Sequence, residues 1–505
     1  MPLTSRANDP KKKRMPAATD STREPLARSG VVAVAILLAL AVVAAGLGEA
    51  LHWLLAGAGT HGLRIALIFV GYDLAVGLVL IPAIVIRLTK DARERRTALP
   101  LADDDQPQFS VLVAAYQEEA SVVETVRRIA ASLSRGSRRA EILVGDDGST
   151  DGTWAALEAA FSLEHTQNPT VALGEIRLPS GAPIPLKALR LPHRGKGATL
   201  NALAAVASHA VLVTLDADTW PEPQAIERVA DVFVDPRVGS AAGVVMIKNG
   251  RDNWLLHHQA SEYLKNALVR IGWASLGALD QVPGAFSGIR ATLFHEAGGF
   301  PVDSLTEDYE VTFRLMRQGV RRRDLPLVVC VSDARVWTEG PSSFGGFIRQ
   351  RTRWFAGFLS TLFRFRDLIF EPRAGTFGLV RLPLKLIDAV LPWLAFVSLV
   401  ILVRGGASSI AAVGRASLVL FLVRWLWDLV VYALATMAAP RLGQPDAMRM
   451  SSPKPALAWL ATATEALTFV WLKHAATFRG FSWAARRVRT WESSRQPSPR
   501  KRMAS

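Results

Sequence analysis

Acidic residues form four short clusters, and each lies at the end of an apolar run or at the start of a helical one. The clusters are Tyr116-Gln-Glu118, Asp146-Asp-Gly-Ser-Thr-Asp-Gly152, Asp216-Ala-Asp218 and Thr306-Glu-Asp308. Any one of these acids could be a helix cap or a turn residue, and Asp151 is placed to cap the helix predicted after it. Four clusters in this order are better explained by a bound ligand.

A nucleotide diphosphate matches the chemistry of these clusters. Carboxylates accept hydrogen bonds from the N–H groups of a base and from the hydroxyl groups of a ribose. Asp216 and Asp218 are two residues apart, so an extended backbone sends both carboxylates to the same side. Mg²⁺ or Mn²⁺, which would neutralise the diphosphate, takes such oxygen ligands. The acidic clusters therefore predict a metal-bound nucleotide.

Lys196 adds a cation to this set. It lies in His193-Arg-Gly-Lys-Gly197, directly before a predicted helix. Glycines let a backbone approach a phosphate closely, and the start of a helix favours an anion. The same residues would also suit a solvated basic loop, but their position between the second and third acidic clusters favours a phosphate contact.

A mixture of arginine and aromatic residues follows the last acidic cluster. It extends from Phe344 to Phe365 and contains Gln350-Arg-Thr-Arg353-Trp354. The pattern predicts an amphipathic helix at a membrane surface. Within it, Arg353 can bind a diphosphate through two hydrogen bonds, and Trp354 offers a flat apolar face to a sugar.

Short apolar runs alternate with helix-like stretches between about residues 105 and 340. This alternation predicts an α/β domain with a mostly parallel sheet covered by helices. Ligands of such sheets bind at the carboxyl ends of the strands, where the acidic clusters lie. The predicted strands include Phe109–Ala115, Ile142–Val144 and Val211–Leu215, and the predicted helices include Val122–Leu133 and Gly197–Ala207.

Longer apolar runs flank this domain. Val31–Leu47 and Ile65–Ile86 predict two transmembrane helices with both outer ends in the cytoplasm, because their outer flanks are rich in Lys and Arg. The first run could instead belong to a signal peptide, but its length and the second run favour a retained helix. Three later apolar runs leave two arrangements open. Either one of these runs is re-entrant or interfacial, or all of them span the membrane and the basic tail lies outside, against the positive-inside rule. The three runs are Ile387–Val403, Ala416–Ala439 and Ala456–Leu472.

The composition agrees with a mixed membrane and aqueous architecture. Half of the 505 residues are hydrophobic, 20% are charged, and the formal net charge is +15. Basic clusters such as Arg87–Arg96 and Arg486–Arg502 adjoin the apolar runs, which favours membrane lipids as the partner. No groove-reading motif is present, so nucleic acid is not expected as a partner. The single cysteine, Cys330, excludes an intramolecular disulfide and a cysteine-based metal site.

Taken together, the motifs resemble the family-2 inverting glycosyltransferases. The similarity is to the processive membrane branch, which includes cellulose, chitin, hyaluronan and bacterial poly-N-acetylglucosamine synthases. It covers roughly residues 108–360 and rests on Asp-Asp-Gly-Ser, Asp-Ala-Asp, Thr-Glu-Asp and Gln-x-x-Arg-Trp in the family's order. Gly284-Ala-Phe-Ser-Gly-Ile-Arg290 and Gly298-Gly-Phe300 also resemble its acceptor-side segment. One departure is Gln117, where the family usually has Asn, and we expect it to be tolerated.

The resemblance implies a GT-A fold, a Rossmann-like nucleotide-binding domain that is cytoplasmic and inserted between transmembrane helices. It implies Asp308 as the general base with Glu307 beside it, and Asp218 with Asp216 as ligands of Mg²⁺ or Mn²⁺. The substrate-binding residues that it implies are Tyr116, Glu118, Asp146, Lys196, Asp216, Gly288, Arg290, Gln350, Arg353 and Trp354.

The predicted organisation follows from the apolar runs and the resemblance together. It comprises a disordered basic N-terminus at 1–28, two transmembrane helices at 29–88, a GT-A catalytic domain at 105–340, an amphipathic interfacial helix at 341–370, about three transmembrane or re-entrant segments at 380–475 and a basic tail at 476–505.

The implied reaction transfers a sugar from a UDP-sugar donor to a growing β-linked polysaccharide, with inversion, at the cytoplasmic face of the cell membrane. N-acetylglucosamine is the first choice of sugar and glucose the next, and an accessory membrane subunit is compatible with polymer export. Two alternatives stay open. One is the transfer of a single sugar to a lipid carrier or glycolipid, and the other is a catalytically silent membrane protein that binds a nucleotide sugar.

Overall fold

The computed structural model describes residues 72, 75–90, 106–133, 139–177, 183–404, 425, 464–465 and 468–486, with side chains to residue 393 in the longest range. The predicted segments at 1–28, Val31–Leu47 and, apart from residue 425, Ala416–Ala439 lie outside these residues, as does the tail beyond residue 486. Within the described residues, no helix combines the length and the apolar character needed to cross a bilayer. The predicted domain boundaries stay predictions.

Ten strands form one mixed sheet in the described part of the chain, in the order β3-β4-β5-β2-β1-β6-β9-β8-β10-β7. Their bounds are β1 Phe109–Ala115, β2 Ala140–Asp147, β3 Glu164–His165, β4 Val171–Ile176, β5 Ile184–Leu191, β6 Val211–Asp216, β7 Trp220–Pro221, β8 Val238–Ile247, β9 Phe286–Arg290 and β10 Leu327–Thr338. The four central strands, β5, β2, β1 and β6, are parallel. Strand β9 runs antiparallel between β6 and β8. The mostly parallel sheet predicted from the sequence is therefore confirmed, with β4, β7 and β9 running against the other strands, and the GT-A-like α/β fold is confirmed as well.

Helices cover both faces of the sheet. Their bounds are α1 Val122–Ser132, α2 Thr153–Phe161, α3 Lys196–Ala205, α4 Ala225–Asp231, α5 Trp254–Ser275, α6 Ala291–Glu296, α7 Glu307–Arg322, α8 Phe344–Arg364, α9 Leu382–Arg404 and α10 Phe469–Ala485. A π-helical turn, Phe377–Arg381, leads directly into α9.

The alternation of side chains along β1 divides the core into two layers. Val111 and Val113 pack against one helical layer, whereas Leu112 packs against the other. Successive side chains of a strand point to opposite faces, and a central strand covered on both sides is apolar at nearly every position. The run at 109–115 is apolar except for Ser110, whose hydroxyl donates a buried hydrogen bond to Glu141 at 2.6 Å, and it therefore belongs to the middle of the sheet.

The acids at the start of α7 complement the helix. Glu307, Asp308 and Glu310 lie in its first turn, and Arg321 and Arg322 lie in its last. Negative charge is favourable at the positive end of the helix dipole and positive charge at the other end. The helix can therefore present carboxylates from its first turn without losing stability.

The close approach of α3 to the segment before α7 requires a glycine. A Cβ on Gly197 would lie 2.7 Å from the backbone oxygen of Pro301 and 3.7 Å from Cβ of Glu307. Gly197→Ala is therefore expected to lower the free energy of unfolding by about 1–3 kcal/mol, the usual effect of overpacking, as measured by denaturant unfolding. Gly345→Ala is the control, because in the described part of the chain its Cβ would meet only the end of the Arg349 side chain, at 3.5 Å. Equal losses in the two variants would contradict this explanation.

Helix α8 contains the Gln-x-x-Arg-Trp motif and packs against α10. Ser343 caps α8 by accepting a hydrogen bond from the backbone N–H of Gly346 at 3.2 Å. A Cβ on Gly480 of α10 would lie 2.9 Å from the ring of Phe355, so the glycine lets the two helices approach closely. The helix lies within the predicted interfacial segment 341–370, and its position at a membrane stays a prediction.

Candidate active site

The carboxyl ends of three parallel strands bring the first three acidic clusters together. In β1, Ala115 pairs with Asp146 of β2, and Ala114 pairs with Asp216 of β6. Tyr116 follows directly after β1. Residues far apart in the sequence thus meet at one edge of the sheet, as expected for a parallel α/β arrangement.

Asp146 is fully buried at this edge. Its Oδ1 accepts a hydrogen bond from the backbone N–H of Ser149 at 3.0 Å. Its Oδ2 has no hydrogen-bond partner among the described residues. A buried acceptor without a partner is costly, so this oxygen is suited to an N–H group of a ligand.

The loop after β1 is tied to the loop after β2. The Glu118 backbone N–H donates to Thr153 Oγ1 at 2.9 Å, and the Glu118 carboxylate accepts a hydrogen bond from Ser121 Oγ. Gln117, which precedes Glu118 in the loop after β1, adopts a left-handed backbone with φ of 57°. Asn tolerates this conformation better than Gln, which gives the family's usual Asn a physical reason. Here the Gln117 side-chain amide donates to Thr150 Oγ1 at 2.7 Å.

Lys196 joins the third acidic cluster to the fourth. Its ammonium group lies 2.6 Å from Asp216 Oδ1 and 3.3 Å from Glu307 Oε1, and it donates to the carbonyl oxygen of Gly284 at 3.2 Å. Burial disfavours its charge, but Asp216 and Glu307 outweigh burial and raise the pKa of Lys196. The cation therefore stays charged at the centre of the site.

The two neighbouring acids at the start of α7 have opposite electrostatic environments. Burial disfavours the charge of Glu307, but Lys196 and Arg353 outweigh it and lower the pKa of Glu307. Burial and the charge of Glu307 raise the pKa of Asp308, whose Oδ2 accepts a hydrogen bond from Gly284 N–H at 2.8 Å. Two carboxylates whose pKa values are moved apart can take different roles. Glu307 is the counter-ion of Lys196, and Asp308 is the more basic group.

Helix α8 brings the last motif to the same place. Arg353 donates to the carbonyl oxygen of Leu305 at 2.8 Å, just before the two acids. Oε1 of Gln350 is buried and has no hydrogen-bond partner in the described part of the chain. The guanidinium of Arg351 lies 4.3 Å from the centre of the Trp354 ring. The three motif residues implied by the resemblance thus lie on one helix that contacts the segment before Glu307.

Two residues implied by the resemblance, Gly288 and Arg290, lie away from this edge, and their substrate contacts stay predictions. Strand β9 runs antiparallel to β6, so Gly288 pairs with Val213, and Arg290 pairs with Val211 at the opposite end of the sheet. Arg290 donates to backbone oxygens, including that of Val238 at 3.0 Å. The beginning of that motif reaches the site, through Gly284 and through the carbonyl oxygen of Ala285, which accepts a hydrogen bond from Asp216 N–H at 3.4 Å.

Asp147 belongs to the site although it was not among the predicted residues. Its carboxylate accepts hydrogen bonds from the backbone N–H groups of Arg194 at 2.9 Å and Gly195 at 3.0 Å. It also lies 2.9 Å from Nδ1 of His193, whose ring stacks on Tyr116 with centroids 4.3 Å apart. Asp147 thus fixes the loop that precedes Lys196. Its position beside Asp146 was the available signal.

Comparison with known proteins identifies the kind of site. Residues 211–439 match the family described as Glycosyl transferase family group 2. The chain carries a family-2 glycosyltransferase domain. The predicted family and the predicted enzyme class are therefore confirmed, and inversion is the general property of family-2 glycosyltransferases.

Individual relatives agree with this family. The chain is 26% identical over 264 residues to the poly-beta-1,6-N-acetyl-D-glucosamine synthase of Staphylococcus aureus strain COL, which covers 52% of this chain and 57% of that protein. It is 25% identical over 272 residues to the probable glycosyltransferase YdaM of Bacillus subtilis strain 168, with 52% and 58% covered. The chain thus spans little more than half of the length of the curated relatives that it matches.

A solved structure also aligns with this chain. It is the mannosyltransferase PcManGT from Pyrobaculum calidifontis in complex with GDP-Man and Mn²⁺. The alignment covers 79% of this chain and 99% of that one, with 19% identity and a TM-score of 0.46.

Asp216 at the end of β6 and Asp218 just after it fit a divalent cation bound together with a diphosphate. Burial and the charge of Asp216 raise the pKa of Asp218 to about 6, and a nearby cation would relieve this repulsion. Among the described residues, no group of three or more His, Cys, Asp or Glu side chains is arranged to hold a metal ion. Mg²⁺ is commonly held by one or two carboxylates plus substrate phosphates and water, so two aspartates are sufficient.

Replacing Asp147 is expected to weaken the binding of the nucleotide-sugar donor. Asp147→Ala removes the acceptor of two backbone N–H groups, so the loop that positions Lys196 loses its fixed shape. We expect the donor KM to rise about tenfold, which corresponds to the usual effect of leaving one buried donor unsatisfied. Steady-state kinetics checks this, with Asp231→Ala, on the far end of the sheet, as the control. An unchanged KM would show that the loop is held by other contacts.

Proposed function

We propose that this chain is a membrane glycosyltransferase that transfers N-acetylglucosamine from UDP-N-acetylglucosamine to a growing β-linked polysaccharide, with inversion, at the cytoplasmic face. The observation that supports it most is the arrangement around Lys196. Glu307 is held ionised beside this cation. Asp308, the more basic acid, follows Glu307 in the chain and lies at the same edge of the sheet.

The proposed mechanism is a single displacement. Asp308 accepts the proton of the acceptor hydroxyl as its oxygen attacks the anomeric carbon. The bond from that carbon to the UDP oxygen breaks, so an α-linked donor gives a β-linked product. Lys196 and Arg353 stabilise the negative charge on the departing UDP. A divalent cation held by Asp218 and Asp216 would add positive charge at the diphosphate.

The residues at the strand ends support a uridine donor. Asp146 offers a buried oxygen that has no hydrogen-bond partner within the described ranges, and Tyr116 presents a ring at the same edge, stacked on His193. N-acetylglucosamine is proposed because the first relatives are poly-N-acetylglucosamine synthases, and the 1,6 linkage in their name is the first to test here. Polymer formation is proposed on the same basis, together with the Gln-x-x-Arg-Trp motif on α8.

Basic clusters beside apolar runs support the proposed membrane location. Helix α8 adds exposed aromatic rings near both ends, Phe344 and Phe363, beside its arginines. Aromatic and basic side chains together are typical of helices that lie in a lipid interface.

Donor turnover tests the proposal. Detergent-purified protein and native membranes are incubated with Mg²⁺ or Mn²⁺ and a panel of UDP-sugars, and UDP release and product mass are measured. Release from UDP-N-acetylglucosamine with a high-mass product is expected, and chelation of the metal is expected to stop it. A single sugar on a lipid would instead support the non-processive alternative. No release from any donor would contradict an active enzyme and favour the silent nucleotide-sugar-binding protein.

A further inference from the structure

A buried carboxylate outside the proposed catalytic group holds several elements together. Asp280 lies between α5 and β9 and is only 3% exposed. Its Oδ1 accepts a hydrogen bond from Nε of Arg381 at 2.7 Å, and its Oδ2 accepts one from the Tyr309 hydroxyl at 3.1 Å. Lys385 lies 3.6 Å from the same Oδ2. Burial disfavours the charge of Asp280, but Arg381 and Lys385 outweigh it and lower its pKa to about 2.

These contacts close a ring that includes the proposed base. Tyr309 follows Asp308 in the chain, and the Asp308 carboxylate accepts a hydrogen bond from the backbone N–H of Gly284. Gly284 is four residues after Asp280, and the intervening Val282 is fully buried. The ring therefore has two hydrogen bonds and two short backbone connections, so Asp308 cannot shift without disturbing Asp280.

The ring is attached to the segment that follows the catalytic domain. Arg381 ends the π-helical turn before α9, is 9% exposed and stacks on the buried Trp273 ring at 4.4 Å. Lys385 lies 3.5 Å from Asp388 on α9, and Asp388 accepts a hydrogen bond from the Tyr72 hydroxyl at 2.7 Å. π-Helical turns are rare in proteins, and those that occur are often found at functional sites.

Stability alone does not explain the buried ion pair between Asp280 and Arg381. A buried ion pair is often no more stable than well-packed apolar residues of similar volume. Asp280 and Arg381 instead fix the orientation of their neighbours, because their hydrogen bonds hold both the Tyr309 side chain and the segment that leads to Gly284.

We propose that Asp280 and Arg381 are positioning residues for the transfer reaction, and that through them the segment entering α9 sets the position of the Asp308 carboxylate. This inference rests on the proposed function, because it assigns the pair a role in the chemistry of that site. It predicts an effect on the chemical step rather than on donor binding.

The test compares Arg381→Gln, Arg381→Lys and Asp280→Asn with wild type in kcat, donor KM and UDP affinity. For Arg381→Gln and Asp280→Asn we expect kcat to fall about 100-fold, the effect of a misplacement of about 1 Å, with KM changed by no more than about twofold. Arg381→Lys is expected to recover part of kcat, because it restores the cation. The matched control is Arg139→Gln, which breaks the pair at 2.8 Å between the buried Arg139 and the partly exposed Asp231, away from the acidic clusters. It is expected to lower stability and to leave kcat unchanged.

A double variant separates position from stability. Asp280→Leu with Arg381→Met removes both charges together, so neither charge of the pair is left buried alone. The expected loss of stability is then limited to that of the Tyr309 hydroxyl, which loses its acceptor. The inference requires kcat to stay low in this folded variant. A folded double variant with wild-type kcat would overturn it, as would equal kcat losses in Arg381→Gln and Arg139→Gln. A wild-type protein without donor turnover would overturn the proposed function and this inference with it, whereas an active wild type with active variants would overturn the inference alone.

Discussion

Asp308→Asn is expected to abolish sugar transfer while leaving UDP binding nearly intact. Asn keeps the shape of the side chain, and its oxygen can still accept the hydrogen bond from Gly284 N–H. It cannot take a proton from the acceptor hydroxyl, and loss of a general base costs about 10²- to 10⁴-fold in rate. UDP release with acceptor present, and UDP affinity by calorimetry, are the two measurements.

Asp324→Asn is the control for this variant, because Asp324 follows the far end of the same helix. Its rate and UDP affinity should equal those of wild type. Loss of transfer together with loss of UDP binding in Asp308→Asn would assign the residue to the donor site. Unchanged transfer would exclude it as the base.

Asp218→Ala is expected to remove the part of UDP binding that depends on Mg²⁺ or Mn²⁺. The change deletes one of the two carboxylates proposed to hold the cation. Changing a residue that only orients a metal ligand lowers metal affinity by up to about 100-fold. Loss of a ligand itself should cost no less, so we expect UDP affinity in the presence of metal to fall by about 100-fold or more. Calorimetric titration of UDP with and without metal measures this.

Two comparisons complete the experiment. In the presence of a chelator, wild type and Asp218→Ala should bind UDP equally. Asp235→Ala removes an aspartate from the exposed pair with Arg237 and should behave as wild type throughout. Metal-dependent binding that survives in Asp218→Ala would mean that other groups hold the cation.

The departure at Gln117 illustrates how a family pattern and a backbone conformation are connected. The resemblance alone showed that Asn is usual there, and the structure supplies the reason, a left-handed φ. Gln can be tolerated because its longer side chain reaches Thr150 across the neighbouring loop.

The sequence by itself determined the central strands and the chemistry at their ends. Strand β1 extends over Phe109–Ala115 as predicted, since a strand that is apolar on both faces is stable between two helical layers. Once β1, β2 and β6 are parallel neighbours, their carboxyl ends must meet, so Asp146 and Asp216 could be assigned to one site without coordinates. The nucleotide-binding edge could therefore be predicted from the local pattern of apolar runs followed by acidic residues.

Tertiary structure alone decided which residues of the later motifs reach that edge. The direction of β9 is set by its pairing with β6 and β8, and this moved Gly288 and Arg290 away from the site while it brought Gly284 in. The difference between Glu307 and Asp308 depends on Lys196 and Arg353, which come from other helices. The contact of Asp280 with Arg381 likewise joins residues about a hundred positions apart. Electrostatic environment and strand direction depend on such distant partners, and a local sequence pattern contains no information about them.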